Sequence, residues 1–221
     1  FENNRIVVAH DALLSDLGRA WNSDLPLEPD WSKRPPALSA LSHLKFILAD
    51  ECRFDSPVWL VKDPRICLLM PIWHKIAAEL GRELKVVVVL RHPEAIAASL
   101  RSREGVPFDE GMQLSLRYTQ ALARDGLPED TCGLLYDALL ADRENALDIL
   151  NEAAGGIFSS PNEEQRQEAG SFFTDSLRKN TASGATTNLG RLYESHLAGK
   201  KALVAPQELA QFLQEAAALP V

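Results

Sequence analysis

Apolar positions recur at helical spacing from the start of the chain. Over Asn4 to Leu17, the residues Ile6, Val7, Leu13, Leu14 and Leu17 share a face, and Gly18 stands where a helix C-cap is expected. A stretch rich in Pro, Asp and Trp, from Arg19 to Pro36, leads to a second helical pattern over Ala37 to Cys52. Its stripe is Leu38, Leu41, Leu44, Ile47 and Leu48. The pattern then changes. Val58 to Val61 (VWLV) is a short continuous apolar run and Leu84 to Leu90 (LKVVVVL) a stronger one, and both are expected as strands. The four valines fit a parallel strand buried on both faces. Between the two runs the spacing predicts a helix over Arg65 to Leu80, ended by Gly81 and kinked near Met70 by Pro71. Helices over Pro93 to Arg103 and Asp109 to Arg124, a strand over Cys132 to Tyr136 and a helix over Arg143 to Ala154 follow. Beyond Gly155 the signal weakens: residues 159–170 are polar, and 180–190 (NTASGATTNLG) reads as a mobile loop. A last helix over Gln207 to Ala217 closes the pattern.

Strands alternating with helices predict a three-layer α/β domain, its mostly parallel sheet flanked by helices. Composition narrows what such a domain does. The 221 residues are 46% hydrophobic, enough for a sizeable core, and 31 acidic against 23 basic residues give a net charge of −8. That balance argues against a general binder of nucleic acid. Cys52, Cys67 and Cys132 are odd in number and lack metal-ligand spacing, so they read as reduced thiols of a cytoplasmic protein, with no metal implied. No apolar run reaches the roughly 18 residues of a spanning helix. The opening FENNRIVVAHD lacks the charged-then-apolar pattern of a signal peptide.

Three clusters stand where a strand hands over to a helix, the edge at which open α/β sheets collect ligands. In Trp59 to Arg65 (WLVKDPR), Lys62 and Arg65 suit an anion or charge on a reacting oxygen. The same residues also fit a purely structural reading, with Asp63 capping the helix and Pro64 opening it. In the second cluster Arg91-His92-Pro93-Glu94 opens a helix that carries Ser99 two turns on. Arg91 beside a helix N-terminus suits a phosphate, and the alternative pairs Arg91 with a carboxylate. The third, Tyr136-Asp137-Ala138-Leu139-Leu140, favours packing for Tyr136 and a helix start for Asp137. His10 and His74 fall within helical patterns as packed or surface residues, and no Ser/His/Asp or Cys/His order suggests a hydrolase.

In this order and spacing the clusters resemble the sulfotransferase family: its lysine-bearing KDPR segment (Lys62 to Arg65), its Arg–x7–Ser motif (Arg91 to Ser99) and its later Tyr-Glu/Asp-x-Leu-Leu junction (Tyr136 to Leu140). Phe1-Glu2-Asn3 with Asp11 to Leu14 resembles bacterial members downstream of their phosphate loop, and Phe172 to Lys179 is a looser match. The resemblance implies a P-loop NTPase-like α/β fold over a single domain, 1–221, and the donor 3′-phosphoadenosine 5′-phosphosulfate. Arg91 and Ser99 would hold the donor's 3′-phosphate, with Arg178 and Lys179 reaching the same group. Lys62 would stand in for the lysine on the bridging oxygen, and Glu2 for a base that takes the acceptor's proton. The acceptor would be a hydroxyl or amine of a small molecule, sugar or lipid. The family's glycine-rich phosphate loop has no counterpart in the sequence and would precede Phe1, so the domain is expected to be incomplete at its N-terminus. Two other readings stand beside this one. One is a non-catalytic sulfotransferase-like module that binds a nucleotide or protein, and the other is a kinase-type P-loop enzyme.

Overall fold

A computed structural model of the chain describes residues 3–51, 58–172 and 184–220. The chain divides into two compact units, Phe1–Leu84 and Lys85–Val221.

The described part of the first unit is helical. Helix α1 (Asn4–Asp16) starts where the Asn3 side chain accepts from the backbone N–H groups of Arg5 and Ile6, at 2.9 and 3.2 Å. It stops where Gly18 takes φ +70°, so the expected glycine stop is present. Its buried stripe is Ile6, Ala9, His10, Leu13 and Leu14, with a histidine inside the apolar face. A short 3-10 turn, Trp31–Lys33, buries Trp31 ahead of helix α2 (Pro35–Glu51). There Ala37, Leu41, Leu44, Ile47 and Leu48 face inward, while Leu38 is exposed rather than on the stripe. Helix α3 (Ile66–Glu79) breaks at Leu69, two residues before Pro71 and next to the Met70 expected from sequence. Pro71 has no N–H to bond back and its ring crowds the preceding turn.

Val58 to Val61 is not a strand. The run carries no ladder among the described residues, Leu60 is 85% exposed, and the Arg82 guanidinium lies over the Trp59 ring at 4.5 Å. A short apolar run satisfies strand and irregular backbone alike.

The second unit carries the sheet. Strand β1 (Val87–Leu90) runs parallel to β2 (Cys132–Leu135), in the register Val87–Cys132 to Leu90–Leu135. A short third strand, β3 (Leu203–Val204), pairs antiparallel to β2, giving the order β1-β2-β3. The molecule is therefore mixed α/β, and its described sheet is small and mixed in direction. The valine run is shorter as a strand than predicted, and it lies at the edge of the described sheet with Val89 61% exposed, so it is not buried on both faces. Helices α4 (Pro93–Glu104) and α5 (Phe108–Asp125) make the crossover from β1 to β2. They approach so closely that a Cβ on Gly111 would lie 2.9 Å from the Ala97 Cα. Helix α6 (Tyr136–Ala141) begins directly where β2 ends, followed by α7 (Ala146–Ala153) and α8 (Glu163–Phe172). Helix α9 (Asn188–His196) occupies the end of the stretch expected to be a mobile loop, and α10 (Pro206–Ala217) buries Leu209, Phe212, Leu213 and Ala216. Among the described residues, no helix is long and apolar enough to cross a membrane.

Candidate functional site

Parallel pairing of β1 with β2 joins two of the sequence clusters. Leu90 is the partner of Leu135, so Arg91 and Tyr136, each one residue further, leave the same edge of the sheet side by side. The Arg91 guanidinium lies over the Tyr136 ring at 4.7 Å, a cation–π contact, and its Nε is 3.6 Å from Asp137 Oδ1. That separation is an ion pair and not a hydrogen bond. The expected carboxylate partner for Arg91 is thus present, and Tyr136 serves as a platform for the cation. Ser99 is half-buried six residues into α4, about 9 Å of rise beyond Pro93.

The start of α4 is not the open anion site its sequence suggests. Pro93 has no N–H, and the Ala95 and Ile96 N–H groups both donate to the His92 carbonyl, at 2.9 and 3.1 Å. Glu94 is buried, and its Oε1 accepts from the Thr186 N–H (2.9 Å), the Thr187 N–H (3.3 Å) and the Thr187 hydroxyl (3.2 Å). Thr187 is the N-cap of α9, and its hydroxyl accepts from the Gly190 N–H at 3.1 Å. One carboxylate therefore serves two helix N-termini, a natural place for an anion. Burial alone would raise the Glu94 carboxyl, but the Thr186 N–H, its own N–H, the nearby His92 and the Thr187 N–H bring it below its ordinary range. Residues 186 and 187, expected to be mobile, are held by these bonds.

His92 lies between two carboxylates. Its Nδ1 is 2.7 Å from Glu94 Oε2 and its Nε2 is 3.4 Å from Glu194 Oε1, while the Tyr193 ring meets it edge-on at 5.1 Å. Neither contact lies along the ring's N–H directions. His92 Nδ1, His92 Nε2, Glu94 Oε2 and Asp137 Oδ1 are all buried without a hydrogen-bond partner. The Tyr193 phenol is pushed up to about 12 by burial and by Asp137, with Arg91 partly offsetting both. Unsatisfied buried polar atoms are uncommon in folded proteins, and their gathering at the carboxyl ends of two parallel strands marks this place as the candidate site.

The KDPR segment lies in the first unit and is used differently. Lys62 is exposed. Asp63 is fully buried and accepts from the Arg65 N–H and the Arg65 guanidinium, both at 3.0 Å, on Oδ1. Its Oδ2 meets His10 Nδ1 at 2.7 Å. The Trp73 indole N–H donates to His10 Nε2 at 3.2 Å, which places the ring proton on Nδ1, facing Asp63. Arg65 also grips Asp11 with two bonds, at 2.6 and 3.2 Å. Asp63 thus turns the chain ahead of α3, close to its expected capping role, but Pro64 precedes the helix instead of opening it.

Glu2, Arg178 and Lys179 lie outside the described residues. Sequence reasoning passed over Glu94, Thr186, Thr187 and Tyr193. Glu94 carried one usable signal, an acid in the first turn of a helix, but nothing in sequence links it to residues more than ninety positions away. No protein-family model, no curated protein and no solved structure matches the chain.

Proposed function

We propose that the chain acts as a sulfotransferase, moving a sulfuryl group from 3′-phosphoadenosine 5′-phosphosulfate to a hydroxyl or amine of a small molecule, sugar or lipid. The observation that supports this most is the placing of Arg91 at the carboxyl end of β1, backed by the Tyr136 ring and faced by Asp137. On this reading Arg91 grips the donor's 3′-phosphate with its side chain. Asp137 holds the guanidinium when no phosphate is there, and Tyr136 keeps it oriented. Ser99 adds a hydroxyl if the ligand lies along α4. Lys62 is the group proposed for the bridging oxygen, with Glu2 as the proton acceptor and Arg178 and Lys179 as further phosphate ligands. The chemistry is in-line: the S–O bond to the donor's 5′-phosphate breaks as a bond from sulfur to the acceptor oxygen or nitrogen forms, and the acceptor's proton goes to the base. Positioning and electrostatics carry such a transfer. The proposal takes the β1–β2 pair as part of a mostly parallel, three-layer, P-loop-type sheet, in a cytoplasmic protein.

A second reading, a non-catalytic nucleotide- or protein-binding module, is favoured by one observation. Asp63 and Arg65 of the KDPR segment are spent on His10 and Asp11, so two of its three charged residues serve the fold.

Calorimetry with 3′,5′-adenosine bisphosphate and with ATP tests the donor. We expect the bisphosphate to bind more tightly, because ATP has no 3′-phosphate for Arg91. Equal affinity, or no binding of either, overturns the reading. Arg91→Ala should weaken bisphosphate binding by about 1.5–3 kcal/mol, the worth of hydrogen bonds to a charged group, or roughly 10- to 150-fold. Bisphosphate binding without any cleavage of the sulfated donor would favour the module.

A further inference from the structure

His92 stands at the start of α4 with a carboxylate on each side: Glu94 of α4, 2.7 Å from Nδ1, and Glu194 of α9, 3.4 Å from Nε2. The His92 and Glu94 side chains are 11% and 6% exposed, whereas that of Glu194 is 41% exposed. Among the described residues these are the ion pairs that His92 makes, and Tyr193 of α9 meets the ring edge-on at 5.1 Å. Two further charged groups stand at the same sheet edge. Arg91, the preceding residue, opposes a positive ring, but its Nε faces Asp137 of α6 at 3.6 Å, which offsets it. The Tyr193 phenol is pushed up to about 12, so it stays neutral where histidine titrates.

Counting protons shows which form of the ring this arrangement fits. A neutral imidazole has one N–H and one lone pair, and an ionised carboxylate only accepts. With a neutral ring, one of the two carboxylates therefore meets a lone pair. An imidazolium carries an N–H on both nitrogens, and its charge attracts both carboxylates even where the contacts are out of line. Glu94 keeps its charge across this range: burial raises its carboxyl, but the Thr186 N–H, His92 and the Thr187 N–H hold it below its ordinary value. We propose that His92 is a proton-operated latch, in which a proton taken from solvent by the ring ties α9 to the start of α4 through Glu194 and Glu94 together, and its loss frees the Glu194 arm. The latch lies within the second unit and owes nothing to the sulfotransferase reading. Histidine changes charge over about pH 5–8, so the latch is closed at the acid end of that range and opens toward the alkaline end. Thr186 and Thr187 are bonded to the other Glu94 oxygen, Oε1, in both states. What opens is therefore the end of α9 that carries Glu194, and its start stays in place.

Hydrogen exchange of the full chain at about pH 5.5 and about pH 8, each corrected for the intrinsic rate, reads the latch. Protection over residues 192–196 should fall roughly fivefold from the acid to the alkaline condition, the worth of an ion pair with one part-exposed member. At Gly190, whose N–H bonds the Thr187 cap, the change should stay under about twofold. His92→Gln should abolish the fall. Glu194→Gln, made at the exposed arm, should abolish most of it, and it decides the matter alone if His92→Gln does not fold. His196, also on α9, titrates in the same range against Glu215 of α10, 3.0 Å away, so His196→Gln is the control and should keep the fall. Equal protection at both pH values in the parent, a full fall in Glu194→Gln, or its loss in His196→Gln overturns the latch. No readout here involves the donor, so failure of bisphosphate binding leaves the latch standing, and failure of the latch leaves the donor reading in place.

Discussion

Among the described residues two histidine–carboxylate pairs are buried at the same separation of 2.7 Å, and they are built differently. In the first unit His10 Nδ1 bonds Asp63, its Nε2 accepts from Trp73, and the spare Asp63 oxygen takes two donors from Arg65. In the second unit His92 has a carboxylate on either side, yet neither ring nitrogen makes an aligned bond, and Glu94 spends its other oxygen on Thr186 and Thr187. Distance does not separate the two pairs. Alignment does. A network with its lone pairs and protons matched is rigid and belongs to the scaffold, whereas one with unmatched buried atoms keeps bonding capacity for something that arrives later. The scaffold pair lies inside a helical unit, and the unmatched pair lies at the carboxyl edge of a sheet.

The largest effect should come from breaking the matched pair. Asp63→Ala leaves the His10 N–H and part of the Arg65 guanidinium buried without a partner, and should cost about 3–5 kcal/mol, as for other buried pairs cut on one side. Chemical denaturation of the variant against the parent measures it, and a loss under 1 kcal/mol would place the pair in better contact with water than its full burial implies. The same group gives the acid dependence a sign. Burial raises the Asp63 carboxyl, but the bonds from His10 and Arg65 outweigh it and hold the group below its ordinary value of 3.8. The unfolded chain therefore takes up this proton first as pH falls. The contribution is complete above the ordinary value and is lost as pH falls through the lower one. Asp63→Asn should flatten the acid limb of stability in that window.

A smaller effect is expected at the other carboxylate. Glu94 is held so closely against α9 that a Cβ on Gly190 would lie 2.4 Å from its Oε1. Gly190→Ala must push the carboxylate off the Thr186 and Thr187 donors, an overpacking change that costs about 1–3 kcal/mol. In a Glu94→Ala background the added methyl has room, and an alanine in a helix then gains up to about 1 kcal/mol over glycine. A reversal of sign between the two backgrounds, read by thermal unfolding, would identify Glu94 as the clamp. The same cost in both would assign the strain to something else at the α9 start.

Much of the helical structure was legible in the chain, and the reason is local. Gly18 and Pro71 act on the backbone within a turn of themselves, so a helix stop and a break were readable from single residues. The start of α8 was equally local but went unread. Asn162 and Gln165 form a reciprocal capping box, each side chain accepting from the other's N–H at 2.8 and 2.9 Å, in a stretch that looked merely polar. The strand readings fared less evenly, because an apolar run states that it will be buried and not what will bury it. Three of the four valines became an edge strand of the described sheet, and Val58 to Val61 carries no ladder among the described residues. At the candidate site, Arg91 and some carboxylate for it were legible, since Arg91 follows a strand that could be read, but Asp137 was read only as a helix start and not as that carboxylate. The Glu94 clamp was not, because its donors arrive from a helix start some ninety residues later.

The smallest expected effect sharpens the comparison most finely. Trp73→Phe keeps the ring against His10, where the two now meet edge-on at 5.7 Å, and removes only the N–H donated to Nε2. One neutral hydrogen bond should cost about 0.5–1.5 kcal/mol. The tautomer is the more telling readout. Two groups specify it in the parent, Trp73 by donating to one nitrogen and Asp63 by accepting from the other, and a bond to a charged acceptor is the stronger of the two. Nitrogen-15 spectra should therefore still find the proton on Nδ1 of His10 in the variant. His92 has no aligned partner at either nitrogen, so the same spectra should report no comparable commitment there. If His10 shifts its proton to Nε2 once the indole N–H is gone, Asp63 does not control the ring. The matched pair would then owe its order to Trp73, and the segment that carries Lys62 would be anchored by packing on α3 instead of by charge.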